Sequence, residues 1–244
     1  MSIITSIKYL LPLTLRQYLK QIPLVSDIIY EEMSKKYEIQ TQAAIQRIVK
    51  PGWVCADVGS NLGFITMPLA RLVGPQGRVV AFDAFLPNVT SLKKRIERRK
   101  MADWVVVENL AISDGSQERL VLYEGRGQSC SEWNIVGHDV NGNKTAKGVE
   151  VPATSLDRYF KPGQQLDFVK MDIEGAEEYA LPGMRRVLKE QQPVVLVEFH
   201  NEAAWAARKE LFDAGYEFFS LEDEPLHVTS DSALVYLCLA KPRK

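Results

Sequence analysis

The stretch Trp53-Val54-Cys55-Ala56-Asp57-Val58-Gly59-Ser60-Asn61-Leu62-Gly63-Phe64 decides the fold. A short apolar run ends on an acid, two glycines follow, and helical apolar spacing resumes after them. That order reads as a strand, a tight turn and a helix, the opening unit of a doubly wound α/β sheet. Pro51-Gly52, just before it, closes a helix predicted over residues 41–49.

Downstream, strand and helix patterns alternate. Strands are predicted at 78–83 and 104–108 with a charged helix at 88–100 between them, then a strand at 166–172, a helix at 176–190, a strand at 194–198 and a helix at 202–214. Two closing strands, 216–221 and 233–240, are near enough in sequence to pair antiparallel. The expectation is a Rossmann-like α/β fold: a seven-stranded, mostly parallel sheet with an antiparallel C-terminal hairpin and helices on both faces. Residues 113–165 break the alternation with the short segments 119–123 and 148–151 around a Gly/Asn/Ser-rich stretch, and read as an inserted hairpin and loop over the active face.

The chain's 244 residues, 46% hydrophobic and 25% charged, suit one buried core with an appendage. Residues 1–50 are assigned to an N-terminal helical appendage and 51–244 to the main domain. In the appendage, Ile3, Ile7, Leu10, Leu11, Leu15, Tyr18, Leu19 and Ile22 recur at helical spacing. Residues 1–36 therefore offer a stripe for the domain or a second subunit, with a peripheral membrane contact as the other reading. Against 30 Lys+Arg stand 31 Asp+Glu, so no basic field exists to attract nucleic acid. Cys55, Cys130 and Cys238 lack CxxC spacing, and no cleavable leader or membrane span is evident, which fits the cytoplasm or the inner face of a membrane.

In an open α/β sheet a ligand lies beyond the carboxyl ends of the strands, at the turn after the first one. Gly59 and Gly63 allow a sharp turn and close backbone approach there. A helix starting near Leu62 would offer free amides to an anionic group such as an amino-acid carboxylate. Asn61 occupies the middle glycine position of the dinucleotide fingerprint, which disfavours a pyrophosphate and a nicotinamide-dependent oxidoreductase. Asp57 suits a cationic cofactor, because it can pair with the sulfonium or ammonium of S-adenosylmethionine. Asp83, ending the second strand, is placed for a ribose hydroxyl pair, and Asn109 to Ala111, after the third, for the adenine edge. A turn without ligand remains open for each segment taken singly.

The sequence resembles the FkbM-type family of class I methyltransferases over nearly all of residues 37–241. The resemblance is carried by 57–64, by Ala81-Phe82-Asp83 with Asn88, by 109–114 and 154–157, by the Lys170-Met171-Asp172-Ile173-Glu174-Gly175-Ala176-Glu177 run, and by Val197-Glu198-Phe199-His200. It implies the class I fold, S-adenosylmethionine held by Asp57, Gly59, Ser60, Asn61, Gly63, Phe64, Asp83, Asn109, Ala111 and Asp172, and methyl transfer to a hydroxyl of a sugar, glycan or polyketide-like product. Two positions depart from the family pattern: Asp83-Ala84 stands for Glu-Pro, and Ser60 for Ala. Residues 125–147 match nothing in the family, and acceptor recognition is expected in such loops.

A hydroxyl is a poor nucleophile while protonated, so a base is sought on the ligand edge. His200 is the only one of three histidines at such a strand end and is a candidate base, or a group that only binds the acceptor. Asp172 and Glu174 follow the fourth core strand, and Glu198 shares a side with His200. Glu177 reads as a helix-start carboxylate, and Lys170 as the partner of a neighbouring carboxylate. Asp172, Glu174, Glu198 and His200 offer ligands that a hard cation accepts, but without a recognised ligand spacing no metal is expected. A module that binds the cofactor without catalysis is the alternative to an enzyme.

Overall fold

A computed structural model describes residues 30, 31, 33, 34, 38–124, 133–135, 148–229 and 231–243. The amphipathic stripe at 3–22 and the loop 125–147, apart from 133–135, lie outside them. The backbone divides into Met1–Ala43 and Ala44–Lys244. In the first unit Gln42 Nε2 donates to the Ser34 carbonyl at 2.9 Å and Ser34 Oγ to the Glu31 carbonyl at 3.0 Å.

The strands are β1 (Val54–Val58), β2 (Arg78–Phe82), β3 (Val105–Glu108), β4 (Ala111–Ile112), β5 (Arg119–Glu124), β6 (Trp133–Ile135) and β7 (Gly148–Thr154), followed by β8 (Phe168–Met171), β9 (Val194–Glu198), β10 (Tyr216–Phe219), β11 (Pro225–Leu226) and β12 (Leu237–Pro242). The helices are α1 (Ile39–Ile48), α2 (Thr66–Val73), α3 (Leu86–Arg98), α4 (Leu156–Tyr159), α5 (Glu177–Ala180), α6 (Arg185–Glu190), α7 (Glu202–Ala206) and α8 (Lys209–Asp213).

The main sheet runs β11-β10-β12-β9-β8-β1-β2-β3. From β3 to β9 every pairing is parallel, while β12 lies antiparallel to both β9 and β10. The central strands read VCADV, RVVAF, FVKM and VVLVE, largely apolar runs that each contain valine, because helices cover both faces of a parallel sheet. Their burial makes one core with Phe199, Trp205 and Tyr216. The chain winds from β1 to β2 and β3 on one side and returns at β8 and β9 on the other, so the switch point falls between β1 and β8.

Seven strands are the expected ones, and β11 is an eighth. It has two residues, pairs with Phe218–Phe219 and begins with Pro225, which an edge tolerates; it is too short to leave a sequence pattern. The insertion forms a second sheet, β4-β7-β5-β6, in which β5 and β7 pair antiparallel from Arg119↔Pro152 to Tyr123↔Gly148. Ala111, Leu122, Val151 and Ala153 make its small core.

Three helices differ from expectation. α2 starts at Thr66 rather than near Leu62, since Asn61 (φ +48) and Gly63 (φ +86) are left-handed and cannot continue a right-handed helix. The helix expected over 176–190 is α5, a 3₁₀ turn at Leu181–Met184 and α6. Pro182 has no amide to give, and Gly183 lies so near the Ser113 carbonyl that a Cβ would sit 2.0 Å from its oxygen. The helix expected over 202–214 is α7 and α8, parted where Arg208 turns its guanidinium back onto the carbonyls of Trp205 (2.7 Å) and Thr229 (3.0 Å).

The resumption at α6 is held from outside. Asp157 of α4 accepts from the amides of Arg186 (3.0 Å) and Val187 (2.8 Å), satisfying donors at the start of α6. Asp157→Ala is expected to cost about 1–2 kcal/mol. In a thermal melt that lowers Tm by about 2–8 °C, and an unchanged Tm contradicts this role.

Candidate active site

β1 delivers Asp57 to the sheet end and passes into a turn with no spare room. Gly59 has φ +83, and a Cβ on it would lie 1.8 Å from the carbonyl oxygen of Asp172. Glycine is therefore obligatory by both conformation and space. Gly63 likewise faces Leu92 of α3, 2.4 Å from where its Cβ would be. The amides of Gly59 and Ser60 donate to the Phe82 carbonyl at 3.0 and 2.9 Å, that of Asn61 to Asp83 Oδ2 at 2.7 Å, and that of Gly63 to the Ser60 carbonyl at 2.8 Å. These four amides hold the turn's own shape, and of those expected from Leu62 onward the Gly63 amide is thereby committed. Phe64 is buried.

Asp83 organises the neighbouring strand end. Its Oδ1 accepts from the Phe85 amide at 2.8 Å, and Asn88 Nδ2 lies 3.3 Å from Oδ2. A carboxylate offers about four acceptor sites, and with three donors already on Asp83 about one remains for a ligand hydroxyl. Burial raises its pKa, against the hydrogen bonds from Phe85, Asn61 and Asn88. Asn109 Nδ2 donates to the carbonyls of Asp83 (3.0 Å) and Ala84 (2.9 Å), fixing the acid's loop. Ala111 packs in the small core of the second sheet.

Beneath the turn lies a line of buried charge. Asp57 and Lys170 are register partners on β1 and β8. Asp57 is fully buried, Thr66 Oγ1 donates to its Oδ2 at 2.5 Å, and Lys170 Nζ reaches Asp172 Oδ2 at 3.1 Å. Burial raises the Asp57 pKa, opposed by the Lys170 charge and the Thr66 hydroxyl. Asp57 Oδ1 and Ser60 Oγ, both buried, have no hydrogen-bond partner among the described residues. Unsatisfied buried polar atoms at the ligand edge are what a bound polar molecule would complete.

Beyond β8 and β9 the predicted catalytic residues converge. His200 Nε2 lies 3.5 Å from Asp172 Oδ1, 3.5 Å from Glu174 Oε2 and 3.4 Å from Glu198 Oε1, while Nδ1 is 3.2 Å from Glu177 Oε1. The turn after β8 makes this possible: Glu174 (φ +56) and Gly175 (φ +99) are both left-handed, and a Cβ on Gly175 would come 2.7 Å from Asn201 Nδ2. A non-glycine residue held at positive φ marks stored strain, here spent on turning Glu174 toward His200. Burial alone would lower the His200 pKa, but the hydrogen bond and charge of Glu177, with the charges of Asp172 and Glu174, push it up to about 9. The carboxyls of Glu174 and Glu198 rise, chiefly through burial.

Three site groups lay beyond the sequence reading. Thr66, expected only within a helix, caps the buried Asp57. Glu177, expected at a helix start, accepts from the Ile173 amide at 3.0 Å and also orients the imidazole. Tyr236 donates to Glu198 and meets the His200 ring edge-on, centroids 5.5 Å apart; no motif surrounds it.

The family model for the methyltransferase FkbM domain matches residues 57–218, well over half of the chain. The chain belongs to the FkbM methyltransferase family. It is thus a class I methyltransferase whose methyl donor is S-adenosylmethionine. No curated protein matches the chain. A solved putative rRNA-methylase of Clostridium thermocellum is 13% identical with TM-score 0.50, covering 84% of this chain and 95% of its own, a likeness of fold. Methyltransferase FkbM from Methylobacillus flagellatus KT is 16% identical with TM-score 0.49, over 80% of this chain and 49% of that one. A SAM-dependent O-methyltransferase of Thermotoga maritima is 13% identical with TM-score 0.48, over 84% and 65%. Among the described residues no helix is long and apolar enough to cross a membrane.

If the methyltransferase holds its donor's ribose on Asp83, Asp83→Ala should weaken binding of S-adenosylhomocysteine by about 10- to 100-fold, the worth of charge-assisted hydrogen bonds. Calorimetric titration of folded variant and wild type measures this; equal affinities would remove Asp83 from the donor site.

Proposed function

We propose that this methyltransferase is an O-methyltransferase acting on a hydroxyl of a sugar, glycan or polyketide-like small molecule. The observation that carries the reading is the carboxylate cluster around His200, set at the strand ends directly beyond the Gly59 turn. The donor fits the turn through the unpartnered Asp57 Oδ1 and Ser60 Oγ and the remaining acceptor capacity of Asp83. The formal charge of -1 and the lack of a basic field favour a small acceptor over nucleic acid. Cys55 and Cys238 are buried free thiols, in keeping with the cytoplasm. A peripheral membrane or homo-oligomer contact through residues 1–36 remains part of the proposal.

S-adenosylmethionine, when bound, supplies a methyl group made electrophilic by its sulfonium. The acceptor oxygen forms a bond to that carbon as the carbon–sulfur bond breaks, the electron pair staying on sulfur and the hydroxyl proton leaving to a base. The carboxylates around His200 favour its protonated form, which supports a carboxylate rather than the imidazole as the base. Glu198 is the base assigned here. It is half-buried, ends β9 beside His200, and is held by the Tyr236 hydroxyl. Glu174, more exposed at the mouth of the cluster, is placed to meet the acceptor. The Gly59 turn fixes the donor side against Asp172, so that alignment contributes alongside the base.

Incubation with isotope-labelled S-adenosylmethionine and a panel of sugars, lipids and small alcohols, read by mass spectrometry, tests the reading. Transfer to nitrogen or carbon only, or to no acceptor while the donor still binds, would overturn it, the second outcome favouring a non-catalytic module. Glu198→Gln should lower kcat by about 10²- to 10⁴-fold with little change in donor affinity. Full turnover in that variant would move the base elsewhere.

A further inference from the structure

Asp172, Glu174 and His200 each present one ligand atom, and these atoms lie within 4.8 Å of one another. We propose that they form a binding site for a hard divalent cation of the magnesium or manganese type, beside the acceptor position.

The donor set is two carboxylate oxygens and one imidazole nitrogen, which suits Mg²⁺ or Mn²⁺ rather than a thiolate-seeking metal. The Nε2-to-oxygen distances of 3.5 Å exceed the roughly 3 Å between neighbouring ligands of a six-coordinate ion of this size by an amount that small side-chain rotations close. The second nitrogen is already committed: Nδ1 faces Glu177 Oε1 at 3.2 Å. A carboxylate behind one ring nitrogen, aiming the other at the ligand position, is the usual backing of a metal-bound histidine.

An independent observation points the same way. Glu177 is wholly buried beside His200, with Oε1 against the imidazole and the Ile173 amide and with Oε2 lacking a hydrogen-bond partner among the described residues. Four carboxylates, those of Asp172, Glu174, Glu177 and Glu198, surround one imidazole. Lys170, which reaches Asp172, also faces the buried Asp57, so carboxylates outnumber cations in this niche, and a dication on Nε2 would reduce that excess without new protein groups. Held there, it would bind an acceptor hydroxyl and make it more acidic, leaving Glu198 free to take the proton.

The inference rests on the cluster, and its test is separable from that of the proposed reaction. The full chain, freed of metal with a chelator and checked for folding by circular dichroism, is titrated with MnCl2. Uptake is followed by electron paramagnetic resonance of free Mn²⁺, and S-adenosylhomocysteine is titrated in a parallel sample. One Mn²⁺ per chain is expected, with affinity reduced about tenfold or more in H200Q and in E174Q. Glu174 sits on an exposed turn, so E174Q tests the site even if H200Q fails to fold. No uptake at millimolar Mn²⁺ by folded wild type, or uptake unchanged in the folded variants, overturns the site. Protein that binds S-adenosylhomocysteine but takes up no Mn²⁺ overturns the cation site and leaves the proposed reaction standing; protein that takes up Mn²⁺ but transfers no methyl group to any hydroxyl does the opposite.

Discussion

The structure turns on the contact between Gly59 and the carbonyl oxygen of Asp172, where a Cβ would stand 1.8 Å away. β1 and β8 are parallel neighbours at the switch point, and their exits must diverge to open a crevice. Here the β1 exit bends over the end of β8 before diverging, which only a left-handed glycine allows. Once that contact is made, the geometry on either side follows. Ser60 is driven into the interior, Asn61 is left-handed with its amide on Asp83, and the chain reaches Thr66 before a regular helix can start. On the β8 side, the backbone that receives Gly59 also carries Asp172 and, two residues on, the strained Glu174. The Gly59 turn and the carboxylate cluster are thereby two faces of one backbone packing contact.

Charge at this junction is costly and is distributed accordingly. A fully buried Asp57 is tolerable because Thr66 donates to it and Lys170 is its register partner on β8. Lys170 in turn reaches Asp172, so one lysine links a carboxylate under the turn to one in the cluster. Removing the lysine would leave two acids to share the burial cost, which is greater than the loss of a single surface pair. The apolar strands around it, buried on both faces, keep water from screening the line.

What the sequence made legible was what is local and periodic. The apolar runs at 54–58, 78–82, 168–171 and 194–198 announced buried parallel strands, and the acids at their ends announced the ligand edge. The helix start near Leu62 failed because left-handed conformation at Asn61 is decided by Asp83, far along the chain, accepting its amide. The break at Pro182-Gly183 was visible as residue types, yet its cause, the Ser113 carbonyl pressing on Gly183, is long-range. Among site residues, Asp172, Glu174, Glu198 and His200 were read from their strand ends and do converge. Tyr236 could not be read, since an exposed tyrosine before a closing strand carries no pattern until β12 sets it beside β9.

On the proposed reading, convergence is also why the most conspicuous residue is not taken as the base. An imidazole with a single carboxylate behind it is a good proton acceptor, but each further carboxylate stabilises the protonated form and lowers its readiness to turn over. His200 has four such neighbours, and one of them, Glu177, is fully buried, where its charge is least screened. On the proposed reading the same carboxylates also act through their charge. Methylation of a neutral hydroxyl moves positive charge onto the acceptor oxygen before its proton leaves. Negative groups fixed beside that oxygen interact with the transition state more strongly than with the uncharged acceptor. On that reading, a cluster too acidic for its histidine to act as base is matched to an oxygen that becomes cationic, with Glu198 beside it to receive the proton.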